Sequence, residues 1–265
     1  MRRSRCCDVF EDERGFERVR QGRKPLTNHV AADTRSLNRL LDAVPAEDRD
    51  LLLEGADHVS LPRGEILFRQ GKTIQKVHFP ATAVLSLVTT LADGATIEMS
   101  TIGNEGTTAA PVYLGATSMA NATCLCQIPG EALSVDAQAF RAVVDRSEQL
   151  RSVMDRYVLA LLIQVGQAVA CNALHSMIER AARWLLTSHD RVRADEFSLT
   201  QEFLSYMLGV RRASVSVAAR TLQQAGLIRY QHGKITIVDR AGLEEAACEC
   251  YFVMRSALEE VVGPQ

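Results

Sequence analysis

Leu199–Ile228 reads LTQEFLSYMLGVRRASVSVAARTLQQAGLI, and this stretch decides the fold of the last third of the chain. Thr200 stands where a helix N-cap belongs, TQEFLSYML carries a helical pattern to Gly209, and that glycine permits a sharp turn. A second helix is expected from near Arg211 to Gln224, stopping at Gly226. Two short helices joined through a glycine turn make a helix-turn-helix. On the second helix Val215, Ala219 and Leu222 share a face suited to packing on Phe203, Leu204 and Met207 of the first. The opposite face carries Arg212, Ala213, Ser216 and Val217, with Arg220 one turn further. That face is narrow, small and edged with cations.

A DNA major groove admits a helix whose leading side chains are small or able to bond base edges and phosphates. Arg211 and Arg212 suit guanine edges or phosphates, Ser214 and Ser216 suit phosphates, and Ala213 and Val217 suit a thymine methyl. Thr200 and Gln201, at the start of the first helix, and Lys234 complete the candidate DNA-binding set. LIRYQHGKITIVD then reads as strand, tight turn at His232-Gly233 and strand, a wing bearing Arg229 and Lys234. Between Tyr206 and Arg240 six cations face Asp239 alone, a local excess of +5 in a chain whose formal net charge is -2. Such asymmetry is the electrostatic footprint of a nucleic-acid partner.

The rest of the chain bounds the setting. At 265 residues, 47% hydrophobic and 23% charged, it has the composition of a soluble globular protein with two domains. Its seven cysteines are Cys6, Cys7, Cys124, Cys126, Cys171, Cys248 and Cys250, with no CxxC pair and no histidine at zinc-ligand spacing. Reduced thiols in a cytoplasm are expected, with no metal and no cofactor. The N-terminus never reaches an apolar run, which argues against a secretory signal. The most apolar segment, Val158 to Leu174, is interrupted by Gln164, Gln167 and Asn172; its unbroken runs fall well short of the ~20 residues a bilayer span needs, so no membrane partner is expected.

Along the chain, residues 1 to 35 mix nine basic with six acidic residues and read as a poorly ordered tail. SLNRLLDAVPAEDRDLLLEGA reads as helix broken at Pro45. From His58 to Val135 short β-like pieces, EILFRQ, KVHFP, AVLSLVTTLA, TIEMSTI, ATCLCQI and EALSV, alternate with turn signals, of which Asp93-Gly94 is the strongest hairpin signal. Many short strands without intervening helices predict a closed or sandwiched antiparallel unit, over about residues 36–145. The period then becomes helical: Leu150, Met154, Tyr157, Leu161, Gln164, Ala168, Cys171 and His175 follow a 4-3 alternation on a helix spanning 146–188. Val153, Val158, Leu162, Val165 and Val169 make it apolar on more than one side, so it is expected to pack both on the β unit and on a second copy of itself as a two-fold dimer. HDRVRADEFS reads as the entry to a winged helix-turn-helix over 189–240, and residues 241–265 as an amphipathic helical tail.

Taken together, about residues 37 to 240 resemble the CRP/FNR superfamily of bacterial transcription regulators. The likeness is closest in LTQEFLSYMLGVRRASVSVAARTLQQAGLIRYQHGKITIVD and in CNALHSMIERAARWLL. It implies an α+β fold: an N-terminal antiparallel β-roll (double-stranded β-helix) of cyclic-nucleotide-binding type, a long dimerisation helix and a C-terminal winged helix-turn-helix. It further implies a DNA-binding homodimer, with RNA polymerase as a candidate partner, and no enzyme activity. Arg212 matches the family's first base-reading arginine and Arg220 a phosphate-contacting position. The family's glutamate and second arginine fall at Ala213 and Val217, so the operator of its best-known members does not carry over.

In cyclic-nucleotide-binding relatives a glycine-rich loop ends in an Arg-Ser/Thr-Ala group that clamps the cyclic phosphate; here Ala120, Asn121 and Ala122 stand there. No lysine or arginine occurs between Lys76 and Arg141, while Asp93, Glu98, Glu105, Glu131 and Asp136 do. A phosphate buried in that acidic roll would lack a countercharge, so no response to cyclic nucleotide is expected. Adjacent Cys6-Cys7 lacks the spacing of an iron–sulfur cluster. Cys124 and Cys126 share a strand face, which suits small core packing better than a redox or metal signal. His58 and His78 read as lone strand histidines satisfied by neighbours rather than as haem ligands, and they do not supply the metal set of a cupin-like enzyme. Two alternatives stand beside this reading: a regulator with a redox, metal or haem signal in the β-roll, and a protein-interaction module using the winged helix, whose DNA affinity would be weak and nearly independent of salt.

Overall fold

The computed structural model describes residues 38–92, 96–116, 122–192, 194–231 and 233–264. The expected tail over residues 1 to 35, with Cys6 and Cys7, lies outside them, as do Asp93, Gly94, Ala120, Asn121 and His232.

Helices α1 (Arg39–Asp42) and α2 (Ala46–Leu53) flank Pro45, the expected break. Then come β1 (Asp57–Leu61), β2 (Ile66–Phe68), β3 (Lys76–Pro80), β4 (Val84–Thr90), β5 (Thr96–Ile102), the one-turn helix α3 (Ala110–Tyr113), β6 (Thr123–Ile128) and β7 (Gly130–Asp136). Every pairing is antiparallel, in two sheets ordered β1-β7-β3 and β2-β6-β4-β5. β4 and β5 pair from Leu85↔Ile102 to Thr90↔Thr96, the strands of the hairpin expected around Asp93-Gly94.

Alternation along the strands sends Val77, Phe79, Leu85, Ile102, Cys124, Cys126, Leu133 and Val135 into one buried cluster. Cys124 and Cys126 are packing groups, as their spacing suggests: burial raises both thiols, Cys126 to about 12. α4 (Ala137–Arg146), whose first amides are capped by Asp136, adds Phe140 and Val143. α5 (Glu148–Leu174), capped by Ser147, adds Leu150, Met154 and Tyr157. Each such side chain contributes about 1.5–3 kcal/mol when fully buried.

The expected dimer seam on α5 requires correction. Leu150, Met154, Tyr157, Gln164 and Cys171 are buried within the protomer, and Leu161, Ala168 and His175 are partly buried. The cause is long-range: β5 and the C-terminal helix α10 (Cys250–Val262) both pack on α5 and occupy those positions. What they leave open is a second stripe, Leu159, Leu162, Gly166, Val169 and Ala173, spaced 3-4-3-4. Leu159, Leu162 and Val169 are 58%, 64% and 66% exposed. By length and composition α5 is apolar enough to cross a membrane; its apolar surface divides between the protein's own core and this stripe.

The helix also breaks earlier than its period suggests. α5 ends at Leu174 and α6 (Met177–Val192) starts afresh. Ser176 N donates to Glu179 Oε2 (2.7 Å) and Glu179 N to Ser176 Oγ (3.4 Å), a reciprocal cap that starts a new helix.

α6 buries Trp184 and Leu185 in a second cluster with β8 (Glu196–Ser198), α7 (Gln201–Met207), α8 (Arg212–Gln224), β9 (Ile228–Gln231) and β10 (Lys234–Ile237). β8, a strand within the HDRVRADEFS entry segment, anchors Phe197 in that core and edges the sheet β8-β10-β9. Val84 and Val88 of β4 and Leu125 and Ile128 of β6 belong to the same cluster, so the C-terminal unit packs on the outer face of the roll. The tail forms two helices, α9 (Arg240–Glu245) and α10.

Candidate nucleic-acid interface

Thr200 Oγ1 accepts from Phe203 N (3.1 Å) and caps α7. Gly209 then takes φ +63, the left-handed conformation that the turn into α8 requires. Arg211 holds the N-cap position of α8. Val215, Ala218, Ala219 and Leu222 are buried on the side facing Phe203, Leu204 and Met207, the packing face expected from sequence. Arg211, Arg212, Ala213, Ser214, Val217 and Arg220 are exposed on the other side.

Other members of the candidate set have different duties. Ser216 is half-buried, and its Oγ donates to Gln201 Oε1 (2.6 Å), so these two residues fasten α8 to α7. Lys234 Nζ is 2.7 Å from Glu196 Oε1 and shares its charge with β8. Arg240 pairs with Asp190 (2.7 Å) and Glu244 (3.1 Å), bracing α9 on α6 away from the exposed face. Of the six cations between Tyr206 and Arg240, Arg211, Arg212, Arg220 and Arg229 are exposed and make no ion pair among the described residues. The footprint is narrower than the +5 count and centres on the start of α8.

The β5–α3 loop, Gly103 to Thr108, is filled by the protein itself. Gly103 N donates to Glu105 Oε1 (3.1 Å), Gly106 N to the Gly103 carbonyl (3.1 Å), Thr107 N to Tyr157 Oη (2.9 Å) and Thr108 N to the His78 carbonyl (3.0 Å). Arg191 enters from α6: its Nε donates to Glu105 Oε1 (2.8 Å), and it also bonds the Thr101 hydroxyl and carbonyl. A Cβ on Gly103 would strike the Arg191 side chain. The acidic roll therefore does hold a countercharge, supplied from 86 residues away in sequence. These four amides and the guanidinium are thus bonded within the protein. His58 is exposed, and His78 is buried with Nδ1 unpartnered among the described residues; desolvation lowers its pKa to about 4.

Glu98 of β5 lies at the seam between roll and α6, accepting from Ser86 Oγ (2.7 Å) and Trp184 Nε1 (3.0 Å). Burial raises its pKa to about 7, against the opposing pull of those two donors and of Arg183 and Arg191. A carboxyl whose folded pKa exceeds its unfolded one contributes stability that is full below about pH 4.5 and lost as pH rises through about 7. Unfolding free energy is expected to fall on the order of 1–2 kcal/mol across that window, relative to Glu98→Gln, with solvent on the open side taken into account. Urea titrations of both proteins at a series of pH values measure it; parallel curves would refute the assignment.

A third grouping escaped the sequence reading, which expects no metal ligands. Cys171, His175, Cys248 and Cys250 converge, their four ligand-type atoms within 4.8 Å of one another. Cys171 and His175 are separated from the other pair in sequence but share a helix face at i, i+4, a signal the i, i+3 CxxC search passes over.

Residues 179–246 match the model of the Crp-like helix-turn-helix domain, and residues 58–147 match that of the cyclic nucleotide-binding domain. The chain belongs to the CRP/FNR superfamily. No curated protein sequence matches it significantly. Its CRP/FNR architecture recurs in a transcriptional regulator of that family from Eubacterium rectale, at 17% identity and a TM-score of 0.61, covering 78% of this chain and 96% of that one. FixK2 from Bradyrhizobium japonicum matches at 14% identity and a TM-score of 0.60, covering 73% and 98%. The c-di-GMP-responsive global regulator CLP of Xanthomonas campestris matches at 12% and 0.60, covering 73% and 99%. At these identities the structural likeness speaks for the fold. The superfamily consists of DNA-binding transcription regulators, not enzymes.

Proposed function

We propose that this CRP/FNR regulator acts as a cytoplasmic homodimer that reads pseudo-palindromic DNA by placing α8 in successive major grooves about 34 Å apart. The observation that carries the reading is the slim open face of α8, Ala213, Ser214 and Val217, tipped by Arg211 and Arg212 and flanked by Arg220. Arg212 is assigned to base edges, Arg211, Arg220 and Ser214 to phosphates, and Thr200 and Gln201 to the supporting helix. RNA polymerase is the candidate protein partner.

The dimer is assigned to Leu159, Leu162, Gly166, Val169 and Ala173, the α5 stripe that the protomer leaves bare. Leu162→Ala removes about 1–2 kcal/mol of apolar burial, counted twice across a two-fold axis. Sedimentation equilibrium is expected to show the dimer weakened roughly 30-fold or more; an unchanged dimer would move the interface elsewhere.

The roll is proposed not to answer to cyclic nucleotide, because its loop amides and Arg191 are internally bonded. The same contact joins the loop to α6, giving a signal at the roll a direct route to the DNA-reading unit. Selection of bound fragments from random DNA tests the whole reading: inverted half-sites about 10 bp apart, bound more weakly as salt rises, are expected. Binding without sequence enrichment and indifferent to salt would leave only the protein-interaction alternative. Saturable heat on titration with cyclic AMP would overturn the assignment of the roll alone.

A further inference from the structure

Three thiols and one imidazole meet where α5 ends and the tail begins. Cys171 Sγ lies 3.5 Å from Cys248 Sγ, and Cys250 Sγ lies 3.6 Å from His175 Nδ1. The three cysteines are buried and form a cluster of their own, and none is in a disulfide. A tetrahedral ion with Zn–S bonds of about 2.3 Å holds its ligand atoms roughly 3.8 Å apart. The observed separations are edges of such a tetrahedron.

The surroundings match as well. His175 turns Nδ1 toward the sulfurs and places Nε2 3.3 Å from the Glu249 carboxylate, the outer partner that fixes ring orientation in metal-bound histidines. Arg183 Nε donates to Cys171 Sγ (3.2 Å), a cation beside a group that would carry three thiolates. We propose that Cys171, His175, Cys248 and Cys250 bind one zinc ion. Three thiols surrender their protons to solvent on binding, and the resulting site, one negative charge overall, is balanced by Arg183. A closed set of four soft and borderline ligands selects zinc over the oxygen-loving cations. Ligand atoms confined within 4.8 Å enclose a single ion and leave no room for several bridged irons.

The position gives the ion a mechanical role. His175 is the C-cap of α5 and Cys250 the first residue of α10, so the metal would clasp the tail to the long helix one residue before the cap that starts α6. That clasp sets the joint between the roll's helix and the C-terminal unit. The site stands on its own geometry and survives even if the DNA assignment fails.

The test uses the full chain, tag removed, from zinc-supplemented cells. Elemental analysis is expected to find about one zinc per chain, and cobalt replacement to give thiolate charge-transfer and tetrahedral d–d bands. Cys248→Ser and Cys250→Ser should each weaken zinc at least about tenfold in chelator competition, while His175→Cys retains it. Chelation should expose the 240–262 tail to proteolysis. A reduced chain carrying less than about a tenth of an equivalent and giving no thiolate–cobalt spectrum would overturn the site, as would a metal-free Cys171–Cys248 disulfide. Zinc loss without any change in cleavage of the tail would overturn the clasp.

Discussion

Arg212→Ala is expected to lower specific DNA affinity by about 2–6 kcal/mol while leaving the dimer and the unfolding temperature unchanged. A bidentate contact from arginine to a guanine edge discriminates by about 1–3 kcal/mol, and a two-fold complex makes that contact twice. Arg212 is exposed and makes no ion pair among the described residues, so the fold does not depend on its side chain. The loss must therefore appear in recognition: affinity for the selected site falls toward that for random DNA, and mismatches at the contacted position stop mattering. Arg229→Ala on the wing serves as the contrast. It removes an exposed cation outside the face assigned to base edges, so it should weaken all sequences about equally and flatten the salt dependence. Gel-shift titrations on matched and mismatched duplexes separate the two. Undiminished discrimination in Arg212→Ala would mean that another surface reads the bases.

The helix-turn-helix was legible because its punctuation is local: Thr200 caps one helix, Gly209 turns, and Val215 and Leu222 find their partners within twenty residues. The roll's strands were legible for a related reason. Their apolar alternation states which side faces inward, whichever strand lies opposite.

The phase of α5 was not legible in that way. Two apolar stripes run along it at nearly the same spacing, and nothing within the helix says which one meets the body. That is decided by β5 and α10, about sixty residues before and about ninety after. The break at Ser176 did have a local signal, the Ser176–Glu179 cap, but the continuous apolar period masked it. Arg240 stands in the cation excess because its two acids fall outside that stretch, Asp190 fifty residues upstream and Glu244 four residues on. The acidity of the roll was counted as uncompensated for the same reason, since Glu105 finds its arginine only after the chain has folded back.

That arginine carries the largest effect expected on stability. Arg191→Met is expected to cost about 3–5 kcal/mol, because it strands Glu105 without a partner in a site where both side chains are at most 5% exposed. The cost belongs to the orphaned charge more than to the pair. Removing both groups, as in Arg191→Met with Glu105→Leu, should therefore recover most of the loss, since apolar side chains of similar volume replace a buried ion pair at little or no net penalty. Recovery of stability need not restore the joint between the domains. Arg191 also bonds Thr101, and its Nε shares Glu105 Oε1 with Gly103 N, so even the stabilised double variant has lost the bonds that tie α6 to the loop. Denaturant titration should rank the proteins wild type, double variant, single variant, with the double close to wild type. Hydrogen exchange at Gly103 should rise in both variants. A single variant as stable as wild type would mean that Glu105 does not depend on Arg191 for a partner in solution, and the contact between roll and DNA-reading unit would lose its electrostatic basis.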